Sequence, residues 1–247
     1  MLWAFRQDNI KRQNLGLFSE IKEDFDNVYR NDPAIRSKFE FIFNYPGVWA
    51  IAWYRVAHRL YRANWKLTAR LIMGISQFFS NIDIHPAARI GRRVFIDHGI
   101  GVVIGETTII EDDVVIYQGV TLGGVSLTEG KRHPTVRKGA VIGAGAKILG
   151  NIVIGEYAKV GANSVVVREV PDGSTAIGIP AHVIEKGRDK DQFSHNKLPD
   201  INKELFEYLI KRVAVLEHIL MKDNKELLDE DLKLEQIYDS FLKAIKT

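Results

Sequence analysis

The sequence predicts an α+β protein in three successive parts: a helical region over residues 1–80, a solenoid of short parallel β-strands over 81–184, and a linker with a helical tail over 185–247. Three observations carry this reading. Between residues 17 and 80 large apolar side chains recur at spacings of three and four, the period of a helix face. Between Ile84 and Val166 aliphatic side chains recur every six residues, which no helix of 3.6 residues per turn can accommodate. Beyond Ile184 the chain turns polar, and then Leu209, Val213, Leu216 and Leu220 return at spacings of four, three and four.

The helical region is interrupted at Asp32-Pro33 and at Pro46-Gly47, so several helices separated by turns are expected. From Trp49 onward the pattern is amphipathic, basic and Trp-bearing, a combination shared by helices that lie on membrane surfaces. Apolar residues occur on more than one face, which favours packing within or between subunits.

The six-residue period is carried by Ile84, Ile90 and Ile96, then Ile104, Ile110, Ile116 and Leu122, then Val136, Ile142, Ile148, Ile154, Val160 and Val166. A prism of parallel strands satisfies it: three hexapeptides make one coil, and the aliphatic residue of each points into a shared interior. Glycine and other small residues follow many of these positions, where the corners of the prism require backbone angles that β-branched residues resist.

The phase breaks twice. Two extra residues intrude between Ile96 and Ile104, with Asp97 and His98 just before them on the prism wall. Val136 lies fourteen positions after Leu122, so "GVSLTEGKRHPT" leaves the prism as an excursion near 123–135 that carries Arg132 and His133. Loops projecting from a rigid repeat are where binding groups concentrate. The repeat closes in a Gly/Pro-rich turn region, "VPDGSTAIGIPAHVI", followed by a polar linker and the tail helix, whose spacing suits self-association or docking as a single helix on its own subunit.

Bulk properties narrow the chemistry. The net charge of +3 comes from 34 basic and 31 acidic residues spread along the chain, so no basic stripe suited to nucleic acid stands out. The absence of cysteine excludes disulfides, thiolate catalysis and thiolate metal sites. The first twenty residues contain charges and lack the apolar run of a secretory leader, and no apolar stretch reaches the roughly 20 residues that span a bilayer. A cytoplasmic protein without membrane or nucleic-acid partners is expected.

Of the seven histidines, His58 and His218 lie in helical patterns and His195 in the polar linker, where structural or surface roles are the ordinary reading. His98 differs because it stands where the repeat breaks and follows a carboxylate. A general base needs an imidazole whose second nitrogen is held by an acceptor. Spacing leaves open whether Asp97 or Asp83 supplies it. The His-x4-His spacing of the zinc-bearing hexapeptide solenoids is absent, so no metal is expected, and no G-x-S-x-G elbow marks a serine nucleophile.

The stretches "DPAIRS", "YPGVWAIAWYRVAHRLYR", "DIHPAARIGRRVFIDHGIGVVIGETTIIEDDVVIYQGVTLGG", "KRHPTVRKGAVIGAGAKILGNIVIGEYAKVGANSVVV" and "VPDGSTAIGIPA" resemble the serine O-acetyltransferases, hexapeptide-repeat enzymes that make O-acetylserine for cysteine synthesis. The resemblance runs from about residue 24 to 184. It implies a left-handed parallel β-helix, with acetyl-CoA as co-substrate and L-serine as acceptor. It makes His98 the general base and Asp83 its partner, gives the serine ammonium to Asp32 and Asp97, and gives the carboxylate to Arg132 and His133. Acids facing one end of an amino acid and a guanidinium facing the other suit its two charges. Coenzyme A would run along the later coils near Gly124, Ala144 and Ala162, with Lys159 as a phosphate contact.

The resemblance also implies a homo-oligomer, a trimer or a dimer of trimers, with sites between subunits. Two departures stand out. His182 follows Ala181 where the family usually has Arg. Members that dock into cysteine synthase use a C-terminal isoleucine, whereas this sequence ends Ile245-Lys246-Thr247, which argues against that partnership. The competing expectations are a related hexapeptide acetyltransferase acting on homoserine or a sugar, and a solenoid that serves only as a scaffold. The scaffold leaves the polar residues at both phase breaks without a reason.

Overall fold

The computed structural model describes residues 16–31, 37, 44–126, 129–184, 208–214 and 216. Asp32, the linker with His195, and most of the tail, including His218 and Leu220, lie outside them. The chain divides into two compact units, Met1–Leu198 and Pro199–Thr247. In the second, residues 208–214 and 216 are helical, and Leu209, Val213 and Leu216 are exposed.

Among the described residues the first unit includes the helices α1 (Leu17–Asn31), α2 (Pro46–Arg62) and α3 (Lys66–Ser80). Pro46 stands at the start of α2, where a helix has no use for its missing N–H. No proline marks the break between α2 and α3. The turn is made at Asn64, whose φ of 69° is tolerated by asparagine better than by most side chains, and Asn81 ends α3 in the same left-handed way.

Among the described residues fifteen short strands follow in three sheets, which are the three faces of the prism. The first face stacks β1 (Asp83–Ile84), β4 (Val103–Ile104), β7 (Thr121–Gly123), β10 (Lys147–Leu149) and β13 (Val165–Val166). The second stacks β2 (Arg89–Ile90), β5 (Ile109–Ile110), β8 (Thr135–Val136) and β11 (Val153–Ile154). The third stacks β3 (Phe95–Ile96), β6 (Val115–Ile116), β9 (Val141–Ile142), β12 (Lys159–Val160), β14 (Thr175–Gly178) and β15 (Ala181–Ile184).

All thirteen aliphatic positions of the six-residue repeat are buried, none more than 8% exposed. Their partners are in register, Ile84 beside Ile104 and Ile104 beside Leu122 on the first face, Ile110 beside Val136 on the second. Burial of each such side chain contributes about 1.5–3 kcal/mol. At the corners the coils approach so closely that a side chain has no room: a Cβ on Gly143 would lie 2.7 Å from the amide nitrogen of Ala162.

One stretch departs from the sequence expectation. The turn region anticipated at 170–184 contains two further strands, and β15 runs antiparallel to β14, pairing Thr175 with Ile184 and Gly178 with Ala181. The chain reverses at Ile179-Pro180 and lays its last strand along the third face, so the repeat ends in a hairpin.

The helices are tied to the first coil by buried polar contacts. The Arg55 guanidinium of α2 donates to both carboxylate oxygens of Asp24 in α1 (3.0 and 3.3 Å) and to the carbonyls of Ile90 (2.7 Å) and Gly91 (2.5 Å). Burial works against the Arg55 charge, and Asp24 outweighs it, raising the guanidinium above its usual range. Glu23 accepts from Arg92 and Arg93, Arg93 also holds Asp113 of the next coil, and the Tyr54 hydroxyl donates to Ala88 O at 2.6 Å. Arg55→Ala strands the Asp24 carboxylate in the interior, and a loss of about 3–5 kcal/mol is expected in urea unfolding; a loss below about 1 kcal/mol shows that Asp24 has another route to satisfaction.

Candidate active site

Most of the sequence-predicted site residues that the structure describes fall on two different corners of the prism, with Asp83 and Lys159 on its faces. At the corner between the first and second faces the excursion loop folds back so that Arg132 meets Glu106, Nη2 to Oε2 at 2.5 Å. His133 is buried beside it, its ring against the backbone of Gly105, where any side chain would collide with it. The Thr107 hydroxyl accepts from the backbone N–H groups of Arg132 (3.0 Å) and His133 (3.1 Å) and lies 2.9 Å from His133 Nδ1. Lys131 reaches the carbonyls of Thr107 (2.8 Å), His133 and Pro134 (3.1 Å), which closes the loop on itself. Gly124, the first residue past β7, is exposed and faces this cluster, a Cβ there coming within 3.3 Å of His133 Nε2.

The charges at this corner are arranged in mutual support. The hydrogen bond from Arg132 holds the Glu106 carboxyl below its ordinary range, against the opposing effect of burial. Burial pushes His133 down, and the cations Arg132 and Lys131 push it further. His85, on the same corner one coil earlier, is lowered by burial and by Arg70, with Glu106 and Asp83 pulling the other way. The corner therefore carries a guanidinium paired with Glu106 beside an imidazole shifted toward its neutral form.

His98 occupies the other corner, between the third and first faces. The two residues inserted there do not leave it on the flat wall that the sequence suggests. Gly101, Gly119, Gly145 and Asn163 form the regular column of left-handed corner residues, with φ from 55° to 74°. The insertion adds a second left-handed turn just before it, at His98 (φ 56°) and Gly99 (φ 76°). Asp97 still keeps register, its N–H donating to Ile116 O at 2.8 Å. His98 is exposed, and it shares its left-handed backbone with Arg93, Asp113, Tyr157 and Asn163 elsewhere on the prism, so the conformation belongs to the turns of the solenoid.

Asp83 opens β1 on the outer side of the first face, between the two corners. No hydrogen bond joins it to His98 among the described residues. Ala144 and Ala162 stand on the His98 corner two and three coils further on, linked by Asn163 N–H to Ala144 O at 2.8 Å. Lys159 lies on the third face beside Val141. One chain thus brings together Arg132 and His133, and separately Asp97, His98, Ala144 and Ala162. It does not bring the two groups together. Among the described residues no cluster of three or more His, Asp or Glu side chains is arranged to hold a metal ion.

Glu106 and Thr107 were not anticipated, yet the repeat contains the signal for them. The fourteen-residue gap shifts the register so that a residue on the second face pairs with one 26 further on, as Ile110 does with Val136. Counting 26 back from Arg132 and His133 gives Glu106 and Thr107, the observed partners.

Known proteins share the fold. The family model of the bacterial transferase hexapeptide (six repeats) matches residues 133–168. A serine acetyltransferase of Bacillus subtilis (strain 168) is 48% identical over 215 residues, 86% of this chain and 99% of that relative. The chain belongs to the serine acetyltransferase family. Among solved structures, a serine acetyltransferase in complex with cysteine aligns with a TM-score of 0.70 at 43% identity, covering 74% of this chain and 72% of that one. A serine acetyltransferase in complex with CoA aligns at 0.64 with 46% identity, covering 68% and 70%.

The lowered histidines fix the direction of one pH effect. His58, whose Nδ1 meets Pro86 O at 2.8 Å, is depressed by burial, as are His85 and His133. Each binds its proton more weakly folded than unfolded, so the unfolded chain takes up protons first as pH falls through about 6.5. Relative to its value near pH 7, unfolding free energy measured in urea is expected to decline steadily as pH falls below about 6.5; a rise in that window contradicts these assignments.

Proposed function

We propose that this chain is a serine O-acetyltransferase that moves the acetyl group of acetyl-CoA to the hydroxyl of L-serine, giving O-acetylserine and CoA. The observation that carries the reading is the relation to the Bacillus subtilis enzyme, which spans 99% of that protein and takes in both corners described above. The side chains support it independently, because a zwitterionic acceptor needs an acid on one side and a guanidinium with a hydrogen-bond donor on the other.

In this reading the serine oxygen attacks the thioester carbonyl while His98 accepts the hydroxyl proton. The tetrahedral oxyanion collapses, the carbon–sulfur bond breaks, and His98 returns the proton to the departing thiolate. Asp83 orients the His98 ring, Asp97 and Asp32 take the substrate ammonium, and Arg132 and His133 take its carboxylate. CoA runs up the His98 corner past Ala144 and Ala162, where small residues leave backbone groups within reach, with Lys159 as a further contact and Gly124, on the other corner, supplied by the neighbouring copy. The prism winds left-handed, and the wider layout is a helical region to residue 80, the prism over 81–184 and a linker with helical tail over 185–247.

The separation of the two corners supports a site completed by a neighbouring copy, His98 of one chain facing Arg132 and His133 of the next. A trimer or a dimer of trimers provides that geometry. Light scattering on the full chain is expected to return three or six copies, and a stable, active monomer contradicts the composite site.

Thiol release from acetyl-CoA, followed with serine, homoserine and a sugar in parallel, is expected to be fastest with serine; no serine-dependent release overturns the reading. His98→Ala is expected to lower kcat about 10²- to 10⁴-fold with little change in serine KM. Arg132→Ala is expected chiefly to raise KM for serine, and the opposite pattern would exchange the two roles.

A further inference from the structure

The hydrogen bonds around Thr107 determine more than the position of the excursion loop. A threonine hydroxyl has one hydrogen and two lone pairs. Both lone pairs of Thr107 Oγ1 are engaged by the N–H groups of Arg132 (3.0 Å) and His133 (3.1 Å). Its single hydrogen is left for the remaining neighbour, His133 Nδ1, at 2.9 Å. The Thr107 amide also points at Nδ1, at 3.3 Å. Two donors converge on one ring nitrogen, so that nitrogen must be the acceptor, and a neutral imidazole then carries its hydrogen on Nε2.

We propose that Thr107 is a positioning residue that fixes His133 as the neutral Nε2–H tautomer, so that this histidine meets the substrate as a hydrogen-bond donor and not as a base or a cation. Protonation of Nδ1 would set its N–H against the Thr107 amide and force the hydroxyl to turn away from its two donors. The charged groups around the ring act in the same direction or are already engaged. Arg132 and Lys131 disfavour a further positive charge, and Glu106, which would favour one, is held by Arg132. His85, the other titratable group on this corner, is itself shifted toward the neutral form. A fixed Nε2–H donor beside the Arg132 guanidinium suits a carboxylate, which accepts from both.

This assignment rests on the proposed serine-binding role of the corner only for its consequence in catalysis; the tautomer stands on the hydrogen bonds alone. It is tested by long-range proton–nitrogen NMR of the imidazole rings in the full chain, with the His133 signals identified by their loss in His133→Gln. The wild-type spectrum is expected to show an unprotonated Nδ1 and a protonated Nε2 at neutral pH. Thr107→Val, which keeps the branched shape and the 3.3 Å backbone amide but removes the 2.9 Å hydroxyl donor, is expected to admit a share of the Nδ1–H tautomer, shift the His133 titration upward and raise KM for serine about tenfold. Thr107→Ser restores the hydroxyl and is expected to return all three readouts toward wild type. A protonated Nδ1 in the wild-type protein overturns the proposal, whether or not Thr107→Val folds, and so does an unchanged tautomer and titration in Thr107→Val. Failure of serine-dependent acetyl transfer with the Nδ1 signal as expected would instead remove the functional reading and leave the tautomer in place.

Discussion

The whole solenoid depends on the burial of one aliphatic side chain every six residues. Because each strand is only two to four residues long, no strand is stable alone, and each gains its partners only when the next coil stacks upon it. The interior column fixes the register, and the register fixes which outer residues share a corner. A slip of one residue would turn the aliphatic column outward, so the placement of every polar group on the surface is set by the core beneath it. That rigidity lets inserted residues take unusual conformations without dissolving the fold, as at His98, where two extra residues are accommodated while Asp97 keeps its bond to Ile116.

The helices answer a different need. The first coil has no coil below it, and its lower edge would otherwise present open backbone groups. Arg55 and Tyr54 of α2 reach the carbonyls of Ala88, Ile90 and Gly91, and α1 supplies Asp24 and Glu23 to the arginines that surround them. The buried pair of Asp24 and Arg55 adds little by charge attraction alone, since desolvation opposes it. Its contribution is directional, because a planar guanidinium with four partners admits one orientation of α1, α2 and the first coil.

The sequence was most legible where a single physical requirement repeats. The thirteen positions of the interior column, the two phase breaks and the helices described at 17–31, 46–62 and 66–80 followed from periodicity. The residue types at the breaks indicated where to look for chemistry, and the likeness of whole stretches to a known family gave their roles. What periodicity did not reveal depended on local hydrogen bonding or on the third dimension. The turn at Asn64 carries no proline, the hairpin of β14 and β15 was concealed by its glycines and proline, and Glu106 and Thr107 become visible only after the register is counted through the excursion. The separation of Arg132 and His133 from His98 is a property of corners, which a linear repeat does not display.

The closing hairpin carries a consequence for colloidal behaviour. A stack of parallel strands is a template at each end, and an uncovered edge invites another molecule to add its own strand and begin a fibre. On the third face β15 runs antiparallel to β14 and therefore offers an incoming parallel coil the wrong hydrogen-bond pattern, with His182 among its exposed residues. At the opposite end the helices occupy the corresponding place. The repeat that makes this protein easy to extend is thus stopped at both ends of that face by elements that do not obey it.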